Sequence, residues 1–326
     1  MSQESLNKTD DSSKPEPTQV GLMLGNIPEM PAFLLGISRV RASSVLFNIN
    51  QKKDTLLNAF HATKCRVVIY EARYIESLRE ISDQLDKDIR FVMYDRDEYN
   101  FEKDDIKNNN SFKENFKLQQ NDQAYSSHYH GVTSSQLSSP QLNFAKILCN
   151  YDSSPPKKIY KHTLHDYIGY IFTSGTTGGK IKATPFDNIR YTAAFYSQEN
   201  AFGFSEKDNF YISLPLFHSF PGIIGLGRCI LGGATITLTD RFSASNFWSD
   251  CVRYDCTVAL YIGETCRYLL AQPFRPEEVQ HRLRMMFGLG MRKETWKEFT
   301  KRFRINQIAE FYGSSEGNVN LCKFLS

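Results

Sequence analysis

The sequence predicts an α/β fold built from mainly parallel sheets with helices on their faces. Short runs of β-branched and aromatic residues alternate with segments whose apolar residues recur at helical spacing, as in strands joined by crossover helices. The composition is 41% hydrophobic and 23% charged, which is typical of a folded chain. A length of 326 residues suffices for about two domains or subdomains.

Charge and hydropathy exclude several classes of protein. Thirty-nine basic residues against 36 acidic ones leave a net charge of +3, which is too small to indicate nucleic-acid binding. No apolar run approaches the roughly 18 residues of a membrane span, and residues 1–19 are too polar for a signal peptide. The seven cysteines show no CxxC pairing, so we expect free thiols in a reducing, intracellular compartment.

Composition divides the chain into four parts. Residues 1–19 are polar and lack aromatic side chains, which predicts a disordered lead-in. Residues 20–100 form a first α/β segment, and residues 145–326 form a second, larger one. Between them, 18 of the 44 residues in 101–144 are Asn, Gln or Ser, so we expect a loosely ordered, low-complexity insertion.

The elements follow in order along the two α/β segments. RVVIY at 66–70 and RFVMYD at 90–95 are examples of β-branched and aromatic runs, whereas Met30, Phe33, Leu34 and Ile37 share one helical face. Strands are predicted over 20–24, 45–49, 66–70, 90–95, 167–173, 209–214, 234–239, 257–262, 283–287 and 305–311. Helices are predicted over 29–41, from 54 onward, between 70 and 90, and over 244–254, 264–271 and 293–303.

The segment 170–182, YIFTSGTTGGKIK, predicts a phosphate-binding loop. Glycines allow the backbone to approach a phosphate, hydroxyl groups and backbone N–H groups supply donors, and Lys180 and Lys182 supply positive charge. A Walker A loop is disfavoured, because Ser174 stands where its first glycine belongs and Ile181 follows Lys180. The alternative for this segment alone is a Gly-, Ser- and Thr-rich surface turn.

Three further blocks join this loop in a resemblance to a known family. TSGTTG resembles the phosphate loop of the adenylate-forming enzymes, and AEFYGSSEGN at 309–318 resembles their downstream Tyr-Gly-x-Thr-Glu motif, with Ser315 in place of Thr. LPLFHSFPG at 214–222 and the segment 242–273 are similar to acyl-CoA synthetases. The chain is identified as a member of the very-long-chain acyl-CoA synthetase, or fatty acid transport protein, branch.

The resemblance implies a fold, a reaction and its reactants. The fold is the central part of a large N-terminal domain. ATP and a long- or very-long-chain fatty acid would form an acyl-adenylate, which coenzyme A converts to acyl-CoA with Mg²⁺ as cofactor. No nucleic acid is expected as a partner, and the family implies association with the endoplasmic reticulum or plasma membrane, though not through a span in this chain.

The resemblance also assigns roles to residues of this chain. Thr176, Glu316 and His218 would be catalytic, Glu316 would bind Mg²⁺, and Tyr312 would stack on adenine beside Gly313. The remaining nucleotide-binding residues would be Thr173, Ser174, Gly175, Thr177, Gly178, Lys180, Lys182, Gly288, Gly290 and Ser315.

Several of these assignments have a structural alternative. Glu316 can begin a helix, Tyr312 can pack in the core, Gly288 and Gly290 can form a turn, and His218 can be a packing residue. Gly222, Gly225 and Gly227 either leave room for an alkyl chain or allow close helix packing.

Two departures from the family bear on function. Relatives usually have Pro-Lys shortly after TSGTTG, whereas this chain has GKIK, so either Lys180 or Lys182 takes the place of that lysine. The sequence ends at Ser326, ten residues after Glu316, before the family's ribose-binding Asp and small C-terminal domain. We therefore expect a partial, catalytically incomplete chain; the alternative is a non-catalytic module that binds fatty acid or nucleotide.

Overall fold

The protein is represented by a computed structural model that describes residues 17–95, 137, 143–148, 154, 160–174, 181–315, 317 and 321–325. Within these residues, two six-stranded sheets form the framework. The first sheet has the order β4 (Arg90–Tyr94), β3 (Cys65–Glu71), β1 (Gln19–Met23), β2 (Ser43–Leu46), β5 (Tyr167–Ser174), β6 (Ile181–Asp187). Its strands pair in parallel except for β6, which runs antiparallel to β5 at the sheet edge.

The second sheet repeats this plan. Its order is β12 (Leu321–Leu325), β11 (Gln307–Tyr312), β10 (Met285–Leu289), β9 (Val258–Ile262), β7 (Asn209–Ile212), β8 (Thr235–Leu238). Again the strands pair in parallel except at one edge, where β12 runs antiparallel to β11. The predicted α/β fold with mainly parallel sheets is confirmed.

Helices connect the strands and cover the sheets. They are α1 (Glu29–Arg39), α2 (Lys53–His61), α3 (Ile75–Arg79), α4 (Phe144–Leu148), α5 (Asn188–Phe202), α6 (Leu226–Gly232), α7 (Phe247–Arg253), α8 (Gly263–Leu270) and α9 (Lys293–Phe303). Short 3-10 turns occupy Ala72–Tyr74, Ser82–Gln84 and Pro276–Val279, and a π-helical segment occupies Phe220–Gly225. In the part of the chain that the structure describes, no helix combines the length and the apolar character that crossing a membrane requires.

The core forms three apolar clusters that the sheets separate. A central cluster packs residues of both sheets, such as Leu22 and Phe287, against the buried face of α1 and against α5. A second cluster, around Phe47 and Phe91, covers the other face of the first sheet. A third, around Trp248 and Phe303, whose ring centroids lie 4.3 Å apart, covers the other face of the second sheet. Apolar residues on alternate strand positions therefore face both sides of each sheet.

The structure extends the predicted element list at several places. The strand predicted over 45–49 is Ser43–Leu46, so its final residues lie in the loop that follows. Strands β6 and β12, helices α5 and α6, and the π-helical segment have no counterpart in the sequence prediction. Strand β6 and helix α5 follow the phosphate loop, the π-helical segment and α6 follow His218, and β12 follows the motif at 309–318.

The predicted insertion at 101–144 contains residues that pack. Leu137 is 1% exposed, and its carbonyl oxygen accepts a 3.1 Å hydrogen bond from Arg79 Nε. Asn143 is buried, and its side chain pairs with the backbone of Asp95 in both directions, at 2.9 and 2.7 Å. Residues 101–136 and 138–142 lie outside the described residues, as do residues 1–16 of the predicted lead-in.

Candidate functional site

The carboxyl ends of β9, β10 and β11 form one edge of the second sheet. The three strands are parallel neighbours, and they end at Ile262, Leu289 and Tyr312. In open α/β sheets, ligands bind in the crevice outside the carboxyl ends of the strands. The predicted nucleotide-binding residues on β10 and at the end of β11 therefore occupy the part of the fold where a ligand is expected.

Tyr312 is the most exposed large aromatic side chain at this edge. It is 77% accessible although it terminates a strand whose preceding residue, Phe311, is buried. The next residue, Gly313, is exposed and adds no side chain beside the ring. An aromatic ring presented in this way suits stacking on a planar base. The alternative that Tyr312 packs in the core is excluded by its exposure.

Gly288 and Gly290 are explained in part by packing. A Cβ on Gly288 would lie 2.2 Å from the Tyr261 carbonyl oxygen and 2.7 Å from its ring. Gly290 has a φ of +76°, and a Cβ on neighbouring Gly263 would lie 1.9 Å from the Gly290 carbonyl oxygen. Glycine is thus required for the close approach of β9 and β10 and for the turn after β10. Their contact with a nucleotide stays a prediction.

A carboxylate that the sequence analysis did not identify holds this edge together. Glu310 Oε1 accepts hydrogen bonds from Tyr261 Oη at 3.0 Å and from the Met291 backbone N at 2.6 Å. Burial, and secondarily the negative charge of Glu310, raises the pKa of Tyr261 well above its usual value, so the phenol remains a donor. Glu310 therefore joins β11 to both β9 and the turn that follows β10.

The predicted phosphate loop connects two antiparallel strands. Thr173 pairs with Lys182 and Ser174 pairs with Ile181 across β5 and β6. A P-loop passes from a strand into a helix, so the strand β6 gives a structural reason against the Walker A alternative. Lys182 is exposed on β6. Gly175, Thr176, Thr177, Gly178 and Lys180 lie outside the described residues, so their roles stay predictions.

Arg190, on the first turn of α5, ties this hairpin to the motif after β11. Its Nη1 donates to the Pro185 carbonyl oxygen on β6 at 2.8 Å. Its Nη2 donates to the carbonyl oxygens of Ser315 at 2.7 Å and Gly317 at 3.0 Å. Asp187 caps α5 by accepting from the Arg190 backbone N at 2.9 Å, which fixes the start of the helix.

Ser315 also meets the loop that contains His218. The Ser315 and Ser219 hydroxyl oxygens lie 3.0 Å apart. The structure therefore brings together three segments that are distant in sequence: the strand after the phosphate loop, the His218 loop, and the motif around residue 316. Glu316 itself lies outside the described residues, so its predicted binding of Mg²⁺ stays a prediction.

Asn26, in the loop after β1, positions the His218 loop. Its Nδ2 donates to the carbonyl oxygens of Leu214 at 2.9 Å and Thr239 at 3.1 Å, and its Oδ1 accepts from the Leu216 backbone N at 2.9 Å. The residue is 7% exposed, so these groups are shielded from water. This buried amide joins the carboxyl end of a strand in the first sheet to two strand ends in the second.

His218 keeps an exposed side chain beside the Phe217 ring, with centroids 4.5 Å apart. Desolvation by the surrounding atoms lowers the pKa of His218, so the imidazole is neutral at pH 7. A neutral imidazole can donate one hydrogen bond and accept another at this position without carrying a charge. This exposure is not that of a residue packed in the core, and the functional role of His218 stays a prediction.

The glycines after His218 serve close packing. A Cβ on Gly222 would lie 1.9 Å from the Leu216 carbonyl oxygen, and one on Gly225 would lie 2.7 Å from Leu260 Cδ1. A Cβ on Gly227 would lie 3.0 Å from the Tyr191 ring. Protein atoms fill the space beside each glycine, which supports the packing alternative over room for an alkyl chain.

The residues that the structure describes do not form a metal site of their own. No group of three or more His, Cys, Asp or Glu side chains within the described ranges could hold an ion by itself. Mg²⁺ commonly takes one or two carboxylates together with substrate phosphate oxygens, and so needs no such cage.

Known proteins resemble this chain in sequence. The model of the AMP-binding enzyme family matches residues 14–325. Human long-chain fatty acid transport protein 1 is 32% identical over 303 residues, which are 93% of this chain and 41% of that protein. Mouse long-chain fatty acid transport protein 3 is 43% identical over 152 residues, 46% of this chain and 22% of that protein. The chain spans about two fifths of the length of transport protein 1.

Solved structures show the same fold at low identity. The N-terminal domain of FACL13 from Mycobacterium tuberculosis has a TM-score of 0.70 at 15% identity and covers 92% of this chain and 64% of that one. ATP-bound MatB from Rhodopseudomonas palustris has a TM-score of 0.66 at 12% identity and covers 95% of this chain and 52% of that one.

Proposed function

The chain belongs to the AMP-binding enzyme family, and we propose that it takes part in the ATP-dependent activation of long- or very-long-chain fatty acids. The fatty carboxylate attacks the α-phosphorus of ATP, pyrophosphate leaves, and the thiol of coenzyme A then displaces AMP from the acyl-adenylate. The observation that carries this proposal is the exposed Tyr312 ring at the carboxyl edge of a parallel sheet, beside a motif tied to the strand after the phosphate loop.

The first step brings together two anions, so the protein must neutralise charge and fix geometry. Residues 173–178 would donate hydrogen bonds to the β- and γ-phosphates, and Lys180 or Lys182 would supply positive charge. Glu316 would hold the Mg²⁺ that, when bound, neutralises the phosphate oxygens. These donors act without a covalent intermediate on the protein.

Tyr312 would stack on adenine and thereby place the α-phosphate near the His218 loop. The neutral imidazole of His218 would donate a hydrogen bond at this position without attracting the fatty carboxylate into an unproductive ion pair. The fatty acid substrate is proposed from the relatives, whose names describe long-chain fatty acid transport. Family membership also motivates the proposal that the whole protein associates with a membrane.

The proposal is tested by fatty-acid-dependent ATP–pyrophosphate exchange and by ATP·Mg²⁺ binding in a calorimeter. Tyr312→Ala should weaken ATP binding about tenfold or more, because stacking of a base on an aromatic ring contributes roughly 1–3 kcal/mol. Phe274→Ala is the matched control, since Phe274 is 69% exposed and lies outside the candidate site.

The outcomes separate the candidate functions. Exchange that depends on a C16 to C24 fatty acid supports the adenylation reaction. Binding of ATP and fatty acid without any exchange would favour the non-catalytic binding module. Equal ATP affinity in Tyr312→Ala and the wild type would contradict the placement of the base.

A further inference from the structure

The guanidinium of Arg190 binds the backbone on both sides of Glu316. Its Nη2 contacts the carbonyl oxygen of the preceding residue, Ser315, and that of the following residue, Gly317, at 2.7 and 3.0 Å. Its Nη1 contacts Pro185 at 2.8 Å. Within the described residues, every hydrogen bond that this guanidinium makes therefore goes to a backbone carbonyl, which is the geometry of a structural clamp.

The Pro185 contact relates this clamp to the phosphate loop. Strand β6 begins at Ile181, directly after the loop, and Pro185 lies four residues further along it. At roughly 3.3 Å per residue, the distance from Ile181 to Pro185 is about 13 Å. Strand β6 is paired with β5 along its length, so this spacing is fixed by the sheet. A rigid path thus runs from the end of the loop through Pro185 and Arg190 to residues 315 and 317.

The fork geometry of arginine is what makes the clamp possible. A guanidinium is planar and presents several donors in fixed directions, whereas a lysine ammonium is a single point on a flexible stem. One lysine can satisfy one of these carbonyl groups well, but it cannot hold all three in the observed arrangement. Replacement by lysine therefore keeps the charge and removes the geometry.

We propose that Arg190 is a positioning residue that sets the backbone around Glu316 in register with the phosphate loop, so that the metal ligand and the phosphate donors address the same nucleotide. The proposal rests on the proposed function for the role of Glu316. The first turn of α5 thereby couples the phosphate loop to the segment around Glu316.

The first test measures how much Mg²⁺ strengthens ATP binding. The ratio of the ATP dissociation constant in EDTA to that in Mg²⁺ is determined by calorimetry for the wild type and for Arg190→Lys. We expect this ratio to fall about tenfold in Arg190→Lys, whereas the metal-free dissociation constant changes by less than about twofold. Loss of a residue with a purely structural role would weaken ATP binding equally in EDTA and in Mg²⁺, so the ratio would not change.

Arg302→Lys is the matched control. Arg302, on α9, also donates to backbone carbonyl groups, those of Leu270 at 2.6 Å and Gln272 at 2.7 Å, and in addition to the buried carboxylate of Glu278 at 2.9 and 2.8 Å; all these partners lie far from the candidate site in α8 and the turns that follow it. Its replacement should lower the melting temperature and leave the Mg²⁺ ratio unchanged. A fall in the ratio equal to that of Arg190→Lys would overturn the positioning role.

A double-mutant cycle tests whether Arg190 acts through Glu316. In the Glu316→Gln background the Mg²⁺ ratio should already be low, and adding Arg190→Lys should change it by less than about twofold. A further tenfold fall would show that Arg190 acts on the metal or the nucleotide by another route, and the proposal would be wrong.

Hydrogen exchange tests the clamp without any ligand. Amide exchange in a peptide covering 313–320 should become faster in Arg190→Lys and stay unchanged in Arg302→Lys. Unaltered exchange in Arg190→Lys would overturn the clamp itself. A wild type that binds no ATP would instead overturn the proposed function, and with it the link between the clamp and the metal, whatever the exchange result.

Discussion

Arg228 carries a charge that the fold encloses almost completely. Its side chain is 1% exposed on α6, and none of its three guanidinium nitrogens has a hydrogen-bond partner among the described residues. The guanidinium carbon lies 4.5 Å from the Phe195 ring centroid and 5.7 Å from that of Phe204, and Glu199 Oε1 is 3.9 Å from Nη2. Burial lowers the pKa of Arg228, because the aromatic faces replace only part of its hydration.

We expect Arg228→Met to stabilise the protein. Methionine keeps the apolar stem and removes the buried charge, and such replacements are commonly neutral or stabilising by about 1–4 kcal/mol. Glu199, its partner, is 42% exposed and stays solvated when the arginine is removed. The free energy of unfolding in urea should rise by about 1–2 kcal/mol.

Arg253→Met provides the comparison for this variant, since Arg253 is exposed and lies 5.2 Å from the Tyr254 ring centroid. Its free energy of unfolding should stay within about 0.5 kcal/mol of the wild type. A loss of stability in Arg228→Met would show that the aromatic contacts more than balance the desolvation of the charge.

Most strands and several helices could be predicted from the sequence, because the hydrophobic pattern of each lies within one short segment. Helix α9 occupies Lys293–Phe303 as predicted, since its buried faces, Phe299 and Phe303, recur at helical spacing. Strand β6 was missed because Pro185 demotes a strand in any local pattern. Proline is tolerated there because β6 lies at the sheet edge.

The candidate site was predicted less completely than the fold. The side chains of Tyr312 and His218 are exposed, and their contact with a nucleotide stays a prediction. Asn26, Arg190 and Glu310 were missed, because each is a single polar residue whose partners lie far away in sequence. No periodicity or motif marks a residue that binds backbone carbonyl groups across 125 positions, as Arg190 does with Ser315.

Asn26 lies in the loop after β1 of the first sheet and binds the loop before the π-helical segment, so its replacement measures how much this contact stabilises the loop. Asn26→Ala would leave the Leu214 carbonyl oxygen and the Leu216 N–H without their side-chain partner in a buried position. An unsatisfied buried polar group costs about 1–3 kcal/mol, so the free energy of unfolding should fall by about 2–4 kcal/mol. Urea unfolding measures this loss.

The control for this variant is Asn50→Ala, an exposed position that should change the free energy of unfolding by less than about 0.5 kcal/mol. If Asn26→Ala were equally neutral, the loop would be held by its other contacts, and Asn26 would not position the His218 segment.

In the molecule as a whole, polar contacts link the strands of the second sheet at both their carboxyl and their amino ends. Glu310 joins the carboxyl ends of its strands, and Asp208 joins the amino ends of β7, β9 and β10. Asp208 accepts from Arg284 Nε and Nη2 at 2.8 and 2.7 Å, from Thr257 Oγ1 at 2.8 Å and from the Ser205 backbone N at 2.9 Å. Burial of Asp208 opposes its ionisation, but these hydrogen bonds outweigh that effect and lower its pKa.

The neutral imidazole of His281 links the helices that cover the outer face of the second sheet. The His281 ring stacks on Trp248 with centroids 4.9 Å apart, and its Nδ1 accepts from the Leu283 backbone N at 3.1 Å. Its Nε2 lies 2.9 Å from the Phe303 carbonyl oxygen, so the tautomer with hydrogen on Nε2 satisfies both contacts. Burial lowers the pKa of His281, and protonation at Nδ1 would break the bond from Leu283.

These two groups predict stability that falls with acidification in two separate windows. The lowered pKa of His281, to which the lowered pKa of His218 adds, means that the unfolded chain binds the proton first, so stability declines as the pH falls below the unfolded value of about 6.5. The lowered pKa of Asp208 adds a decline as the pH falls below about 3.9. Urea unfolding from pH 7 to pH 3 measures both: His281→Gln should flatten the first window by up to about 1.4 kcal/mol per pH unit, and Asp208→Asn should flatten only the second. Unchanged slopes between pH 7 and pH 5 in His281→Gln would show that the imidazole is not the group that titrates.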